Sequence, residues 1–376
     1  MTSRERLQTV LSGQIPDHVP VAPDTSNMIP ARLTGKPFWD LYLYQDPPIW
    51  KAYIDCVKHF GFDSLMDGYA PIAFEELGEI NHEWKEAIVL EREDRIVTQW
   101  FRKSLNHTEW SNWATVYYRD NPPSGVSLSA LNLPEIPHTY KLVEGVKEWP
   151  KGEALLKLVK EEMGEHGLVG VNCGTSMVLG NDKDILAYMD EPEHFYEKRD
   201  LILQSSIKRF HKLMSLEHKP DFICMGGSGT LVFQSPAIFR ELALPIVKTM
   251  SALCKEAGIP SHVHSCGPEA ALVKIMAEET DLTVIDPLEI PPMGDCDLKE
   301  LKRLYGKKLV LKGNLHTTNV MLHGSVQDVI TAAKQAIDDA AEGGGFILST
   351  CDQCGRDTPD QNIYALIETA QTYGKY

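Results

Sequence analysis

The stretch His262-Val263-His264-Ser265-Cys266-Gly267 puts a metal-capable side chain at every second position. Residues two apart on an extended chain share one face, so two imidazoles and a thiol would stand in a row. Imidazole nitrogen and thiolate sulfur are donors that hold zinc. Three further short stretches carry similar groups: Asp286-Pro287-Leu288-Glu289, Asn314-Leu315-His316 and Cys351-Asp352-Gln353-Cys354. His264 and Cys266 with one later cysteine supply three ligands and leave a fourth position open. That is the arrangement of a catalytic zinc, where a structural zinc has four protein ligands. If Asp286 or Glu289 replaced a cysteine, the ion would be harder and better suited to activating oxygen.

Each stretch taken alone has a plainer explanation. Asp286 and Glu289 can cap a following helix, and His316 can be a satisfied loop histidine. Cys351 and Cys354 can be a redox pair, although no thioredoxin-like pattern surrounds them. His262 sits deeper in its strand and is expected to be buried and hydrogen-bonded. Convergence of four neighbouring segments is what favours a metal.

The elements that would position these groups are legible as a strand-then-helix rhythm. Short, nearly continuous apolar runs occur at 167–173, 221–227, 260–266, 282–287, 308–314 and 345–350, with an earlier candidate at 62–67. Such runs suit parallel strands covered on both faces by helices. Ser325 with Asp328 three residues on predicts a capped helix that Gly343 ends. Ser235-Pro236 predicts another helix start, and Pro245 must kink or break that helix. The repeated units point to an α/β fold, a (β/α)8 TIM barrel, with an open doubly wound sheet as the alternative. In a barrel, reactive groups belong at the carboxyl ends of strands, where all four donor stretches fall. Asn172 and Ser228 also fall at strand ends and are candidates to bind substrate, as is His316. At about 85–135 the rhythm gives way to alternating runs that read as antiparallel strands. They are expected to be a β insertion covering one end of a single domain spanning 1–376, with the tryptophans of "EWSNWATVYY" in its core.

Composition narrows the function. There are 37 basic and 53 acidic residues, a net charge of −16. So acidic a chain, with no basic cluster, is not expected to bind nucleic acid or an anionic membrane. No apolar run approaches the roughly 18 residues of a membrane span, and the charged start lacks a secretory h-region. A cytoplasmic enzyme is expected. Its eight cysteines should then be thiols, ligands or core residues, and Cys56, Cys173, Cys224 and Cys254 read as small buried hydrophobes.

Several stretches carry a family likeness: "HVHSCG", "VIDPLE", "LKRLYGKKLVLKGNLHTT", "GGSGTLVFQSPAIFRELALP" and "AEGGGFILSTCDQCGRDTPDQNIYALIETA". With the opening "TSRERLQTVLSGQIPDHVPV", they resemble the uroporphyrinogen decarboxylase superfamily, in particular its corrinoid-dependent methyltransferase branch. The likeness implies a barrel. It also implies zinc held by His264, Cys266 and a cysteine of "CDQCG"; "DQCGRDTP" is most similar to the methyltransferase I components of O-demethylases, which favours Cys354, with Cys351 as the alternative third ligand and Asp286 as an acidic one. The arginine pattern with which true decarboxylases grip a porphyrin is missing from "PDTSNMIPARLTGKPFW", so a decarboxylase-like lyase is the remotest reading.

The implied reaction moves a methyl group from a methoxylated, aromatic donor to cob(I)alamin. The chain lacks a D-x-H-x-x-G corrinoid signature, so the corrinoid must ride on a separate corrinoid-binding protein. A zinc thiol alkyltransferase of the methylcobalamin:coenzyme M type is the nearest rival, and a non-catalytic barrel stapled by zinc is the third.

Overall fold

The apolar runs become strands in the order in which the chain presents them. In the computed structural model these are β1 (Ser64–Met66), β2 (Lys85–Glu91), β3 (Arg95–Lys103), β4 (Thr108–Tyr118), β5 (Ser124–Ser127) and β6 (Lys141–Leu142), followed by β7 (Gly167–Thr175), β8 (Phe222–Gly226), β9 (Ser261–His264), β10 (Val284–Asp286), β11 (Val310–Leu315) and β12 (Phe346–Thr350). The structure describes residues 1–104 and 107–376. The chain divides into two units. One comprises Met1–Thr25, Val57–Gly68 and Lys160–Tyr376; the other comprises Ser26–Cys56 and Tyr69–Val159.

In the first unit β1 and β7–β12 form a seven-stranded sheet whose spatial order is the chain order. Every pairing is parallel. Unbroken sequential order with helical crossovers is the winding of a curled, barrel-like α/β sheet. An eighth full strand is replaced by the short segment Pro20–Ala22. Leu348 donates to the Pro20 carbonyl and Ala22 to the Leu348 carbonyl, each at 2.8 Å, while Asp63 donates to Val21 at 2.8 Å. This segment therefore touches both edge strands, β12 and β1. The prolines at 20 and 23 have no amide hydrogen, which limits the pairing to a single bridge at Val21.

Inside the curl, Leu65, Leu168, Phe222, Cys224, Val284, Val310 and Ile347 pack with Leu7, Val10 and Leu11 of the helix Ser3–Leu11. Burying each large apolar side chain contributes about 2 kcal/mol, so the amino-terminal half of the interior is a packed core. Outside, Ser325 and Asp328 form the capping box of the helix Val326–Ala340. The break expected at Pro245 occurs at Ala243: one helix ends at Leu242, and the next begins at Leu244 with the proline in its first turn.

The second unit holds the expected antiparallel sheet, in the order β5-β4-β3-β2-β6, and it extends to Leu142. Val97, Ala114, Val116 and Leu128 form its core. Trp110 packs on Phe101 at 4.9 Å and on Tyr140 at 5.0 Å. Trp113, by contrast, is 55% exposed, because residues three apart on a strand point to opposite faces. Among the described residues, no helix is long and apolar enough to cross a membrane.

Candidate metal centre

Strand register explains which side chains meet. His262 is aligned with Cys224 on β8 and Val284 on β10; His264 is aligned with Gly226 and Asp286. Neighbouring parallel strands lie about 4.8 Å apart, so each histidine has its partners within side-chain reach. His264 Nδ1 is hydrogen-bonded to Asp286 Oδ1 at 2.9 Å. His262 Nε2 lies 3.0 Å from the same Asp286 oxygen, and its Nδ1 lies 3.1 Å from Asp67 Oδ2. Both His262 contacts are within ion-pair range, yet neither is aligned as a hydrogen bond.

Asp286 is 1% exposed, and a buried carboxylate must be paired to be tolerated. Lys312, at mid-strand on β11, supplies the opposite charge through an ion pair to Asp286 Oδ2. Burial alone would raise the Asp286 pKa, but Lys312, His262 and His264 hold it well below the ordinary carboxylate range. Burial likewise opposes a charge on His264, and the adjoining Asp286 carboxylate lifts its pKa well above the usual imidazole value. With Asp286 holding the Nδ1 proton, a metal would have to displace the proton from Nε2, the nitrogen that would then serve as ligand. Nε2 faces Asp352 Oδ1 at 3.7 Å. The Asp352 oxygen is buried and has no hydrogen-bond partner.

The sequence-derived candidates are distributed as follows. Cys266 lies close enough to the His264 ring to act on its charge. Cys351 donates its thiol to the Asn314 carbonyl at 3.1 Å. Cys354 is buried, with Asp24 among the charges that act on it. Burial pushes both of these thiols up to about 12. Glu289 accepts from the Gly267 amide at 2.6 Å, which braces the loop after Cys266. Asn172 and Ser228 are exposed, Asn172 within β7 and Ser228 just beyond β8. His316 Nδ1 accepts from the amides of Thr318 and Asn319, a capping role that occupies the nitrogen. Among the described residues, His264, Cys266 and the cysteines of the C-x-x-C do not bring one ligand atom each within 4.8 Å of one another. Asp67, Cys224 and His262 do, and carboxylate, thiol and imidazole are a set compatible with zinc.

The sequence reading names neither Asp67 nor Lys312 and takes Cys224 only as a small buried hydrophobe. Asp67 directly follows β1, so the strand-end rule would have selected it. Lys312 is a charge inside an otherwise apolar strand, and a fully buried lysine is rare without a partner. Gly226 was a subtler signal: a Cβ added there would meet nothing within 4 Å, so the inner face beside His264 is open space. A cleft of about 680 Å³ at the other end of the strands is lined by residues such as Gly13, Lys255, Lys308 and Gly343, with no histidine or cysteine among them.

A family model described as uroporphyrinogen decarboxylase (URO-D) matches residues 189–373, just under half of the chain and containing β8 through β12. The chain is structurally similar to a methyltransferase from Methanosarcina mazei, with a TM-score of 0.62 over 99% of both chains and 16% sequence identity. At that identity the likeness concerns the fold. No curated protein matches the sequence.

Proposed function

We propose that this protein is a zinc-dependent methyltransferase that moves a methyl group from a small methoxylated, aromatic donor to the cob(I)alamin of a separate corrinoid protein. One observation carries the reading: His264 is locked through Nδ1 by the buried Asp286–Lys312 pair, its Nε2 faces Asp352, and its register partner Gly226 leaves open space beside it. The fold shared with a methyltransferase supports it.

Zinc at this place would be held by His264 and Cys266, with the third ligand drawn from Cys354, Cys351, Asp352 or Glu289, since both Asp286 oxygens are engaged by the two histidines and Lys312. The orphaned Asp352 oxygen is the feature that fits a missing cation. When bound, zinc supplies Lewis acidity that stabilises negative charge on a departing oxygen. The residues around it do the rest. Asp286 fixes the His264 tautomer, Glu289 holds the Gly267 amide, and the missing side chain at Gly226 leaves room for a planar ring. The net charge of −16 suits docking to a protein surface of opposite sign. A thiolate-rich ligand set would instead favour a coenzyme M-like thiol as methyl acceptor.

The test combines metal analysis with two assays on the purified protein. The expected result is bound zinc and methylation of cob(I)alamin by an aryl methyl ether, with His264→Ala and Cys266→Ala each losing the methyl transfer and one equivalent of zinc. Thiol methylation by methylcobalamin, without ether demethylation, would transfer the assignment to the alkyltransferase. Neither activity in a zinc-loaded protein would overturn both.

A further inference from the structure

The other imidazole of the β9 pair has surroundings that the proposed methyl transfer does not use. Cys224 and His262 are register partners on β8 and β9, so their side chains project from adjacent points on one face. Asp67, immediately after β1, arrives from a segment nearly two hundred residues earlier and places Oδ2 3.1 Å from His262 Nδ1. One ligand atom from each of the three lies within 4.8 Å of the other two. Cys224 and His262 are buried, at 1% and 4% exposure, yet neither ring nitrogen of His262 makes an aligned hydrogen bond. The Asp67 and Asp286 carboxylates, 3.1 and 3.0 Å away, meet that cost only through poorly aligned contacts, and an ion on Nδ1 would meet it in full.

We propose that Asp67, Cys224 and His262 form a second metal site, for a divalent cation of the zinc type, distinct from the one at His264 and Cys266. One carboxylate oxygen, one sulfur and one imidazole nitrogen make a borderline donor set that suits zinc or cobalt and not magnesium or calcium. Charge favours the same conclusion. A dication offset by one carboxylate and one thiolate is neutral, which the adjoining apolar layer of Leu65, Leu168 and Phe222 tolerates far better than a net charge. Binding expels the thiol proton of Cys224 to solvent, so the site fills more readily as pH rises. Asp67 keeps about a third of its side chain exposed and gives the ion a way in. With Nδ1 on the metal, His262 turns Nε2–H toward Asp286, the carboxylate-histidine-metal order that fixes ring orientation. Asp286 would then orient two imidazoles, each toward its own cation.

Cobalt(II) titration of the chelator-stripped full chain tests this, because sulfur-to-cobalt charge-transfer absorption reports each thiolate ligand. Wild type should bind two equivalents. Cys266→Ala should keep one, with its charge-transfer band. Adding Cys224→Ser should abolish that band and the remaining equivalent. Asp67→Asn, at the more exposed edge and less demanding on packing, should weaken this equivalent at least tenfold. It also provides the reading if Cys224→Ser fails to fold. Stoichiometry of one in wild type, falling to none in Cys266→Ala, would overturn the proposal and leave His262 as a protonated bridge between two carboxylates. Two ions bound without methyl transfer would sink the proposed function and leave this site standing.

Discussion

The two ends of the parallel strands use the same residue types to opposite effect. At the amino end, Arg4 donates to Asp221 Oδ2 at 3.1 Å, Lys160 lies 2.9 Å from Asp221 Oδ1, and the Val169 amide donates to Asp221 at 2.9 Å. Beside them Arg6 bonds Asp17 at 2.7 Å and Asp63 at 2.6 Å, while the Val21 amide completes Asp63 at 2.9 Å. Each carboxylate there is met by aligned donors. At the carboxyl end, Asp352 Oδ1, Glu269 Oε1 and both nitrogens of His262 are buried without such partners. Native proteins bury few unsatisfied polar atoms. Their concentration at one end separates charges that hold the fold together from charges kept for a ligand.

The sharpest way to break that contrast is to remove one group from each end. Cys266→Ala should reduce methyl transfer by about a thousandfold or more, some 4 kcal/mol of barrier. Its urea unfolding midpoint should stay near wild type, because this half-exposed thiol supports no core. Asp221→Ala should do the reverse. The carboxylate is 7% exposed, and its loss strands two cations, so about 3 kcal/mol of stability should vanish with kcat unchanged. A stable Asp221→Ala, or an unstable Cys266→Ala, would erase the distinction.

The same carboxylate gives the contrast a pH signature. Burial would raise the Asp221 pKa, but the hydrogen bond from Arg4, the Val169 amide and Lys160 hold it below the ordinary value. A depressed folded-state pKa contributes stability that is fully present above the unfolded value, near pH 4, and is lost as pH falls through the folded one. Wild type and Asp221→Asn should therefore differ by a constant amount above about pH 5, and the gap should close in more acidic urea titrations. A gap that persists to low pH would show that Asp221 acts through shape and not charge.

Strand identity was legible because buried parallel strands are apolar on both faces, and all seven runs from 62–67 to 345–350 became strands. Pro20–Ala22 was not legible. Its role is a three-residue contact between sheet edges, and two prolines disguise it as a turn. At the site, the pairing of His264 with Cys266 followed from spacing of two residues. The partnership of His264 with Asp286 depends instead on strand register, which puts residues 22 apart side by side and leaves no local trace. Cys224 shows the limit of neighbour-based reading: it does lie in the apolar core, as its flanking residues suggest, and yet its sulfur faces an aspartate and a histidine.

Gly226 tests the smallest consequence, that the carboxyl end gives up stability to keep space. Glycine inside a strand costs roughly 0.5–1 kcal/mol relative to a residue with a side chain, and valine suits strands well. A Cβ at this position meets no atom within 4 Å, so Gly226→Val should fold at least as stably as wild type. The added methyl groups would project beside His264, into the room proposed for the methoxylated ring. KM for the ether should rise about tenfold, equivalent to 1.4 kcal/mol, while bound zinc stays constant because no donor has changed. Raised stability with unchanged KM would move the substrate elsewhere on the rim. Lost zinc would mean that the glycine serves the metal geometry and not the substrate.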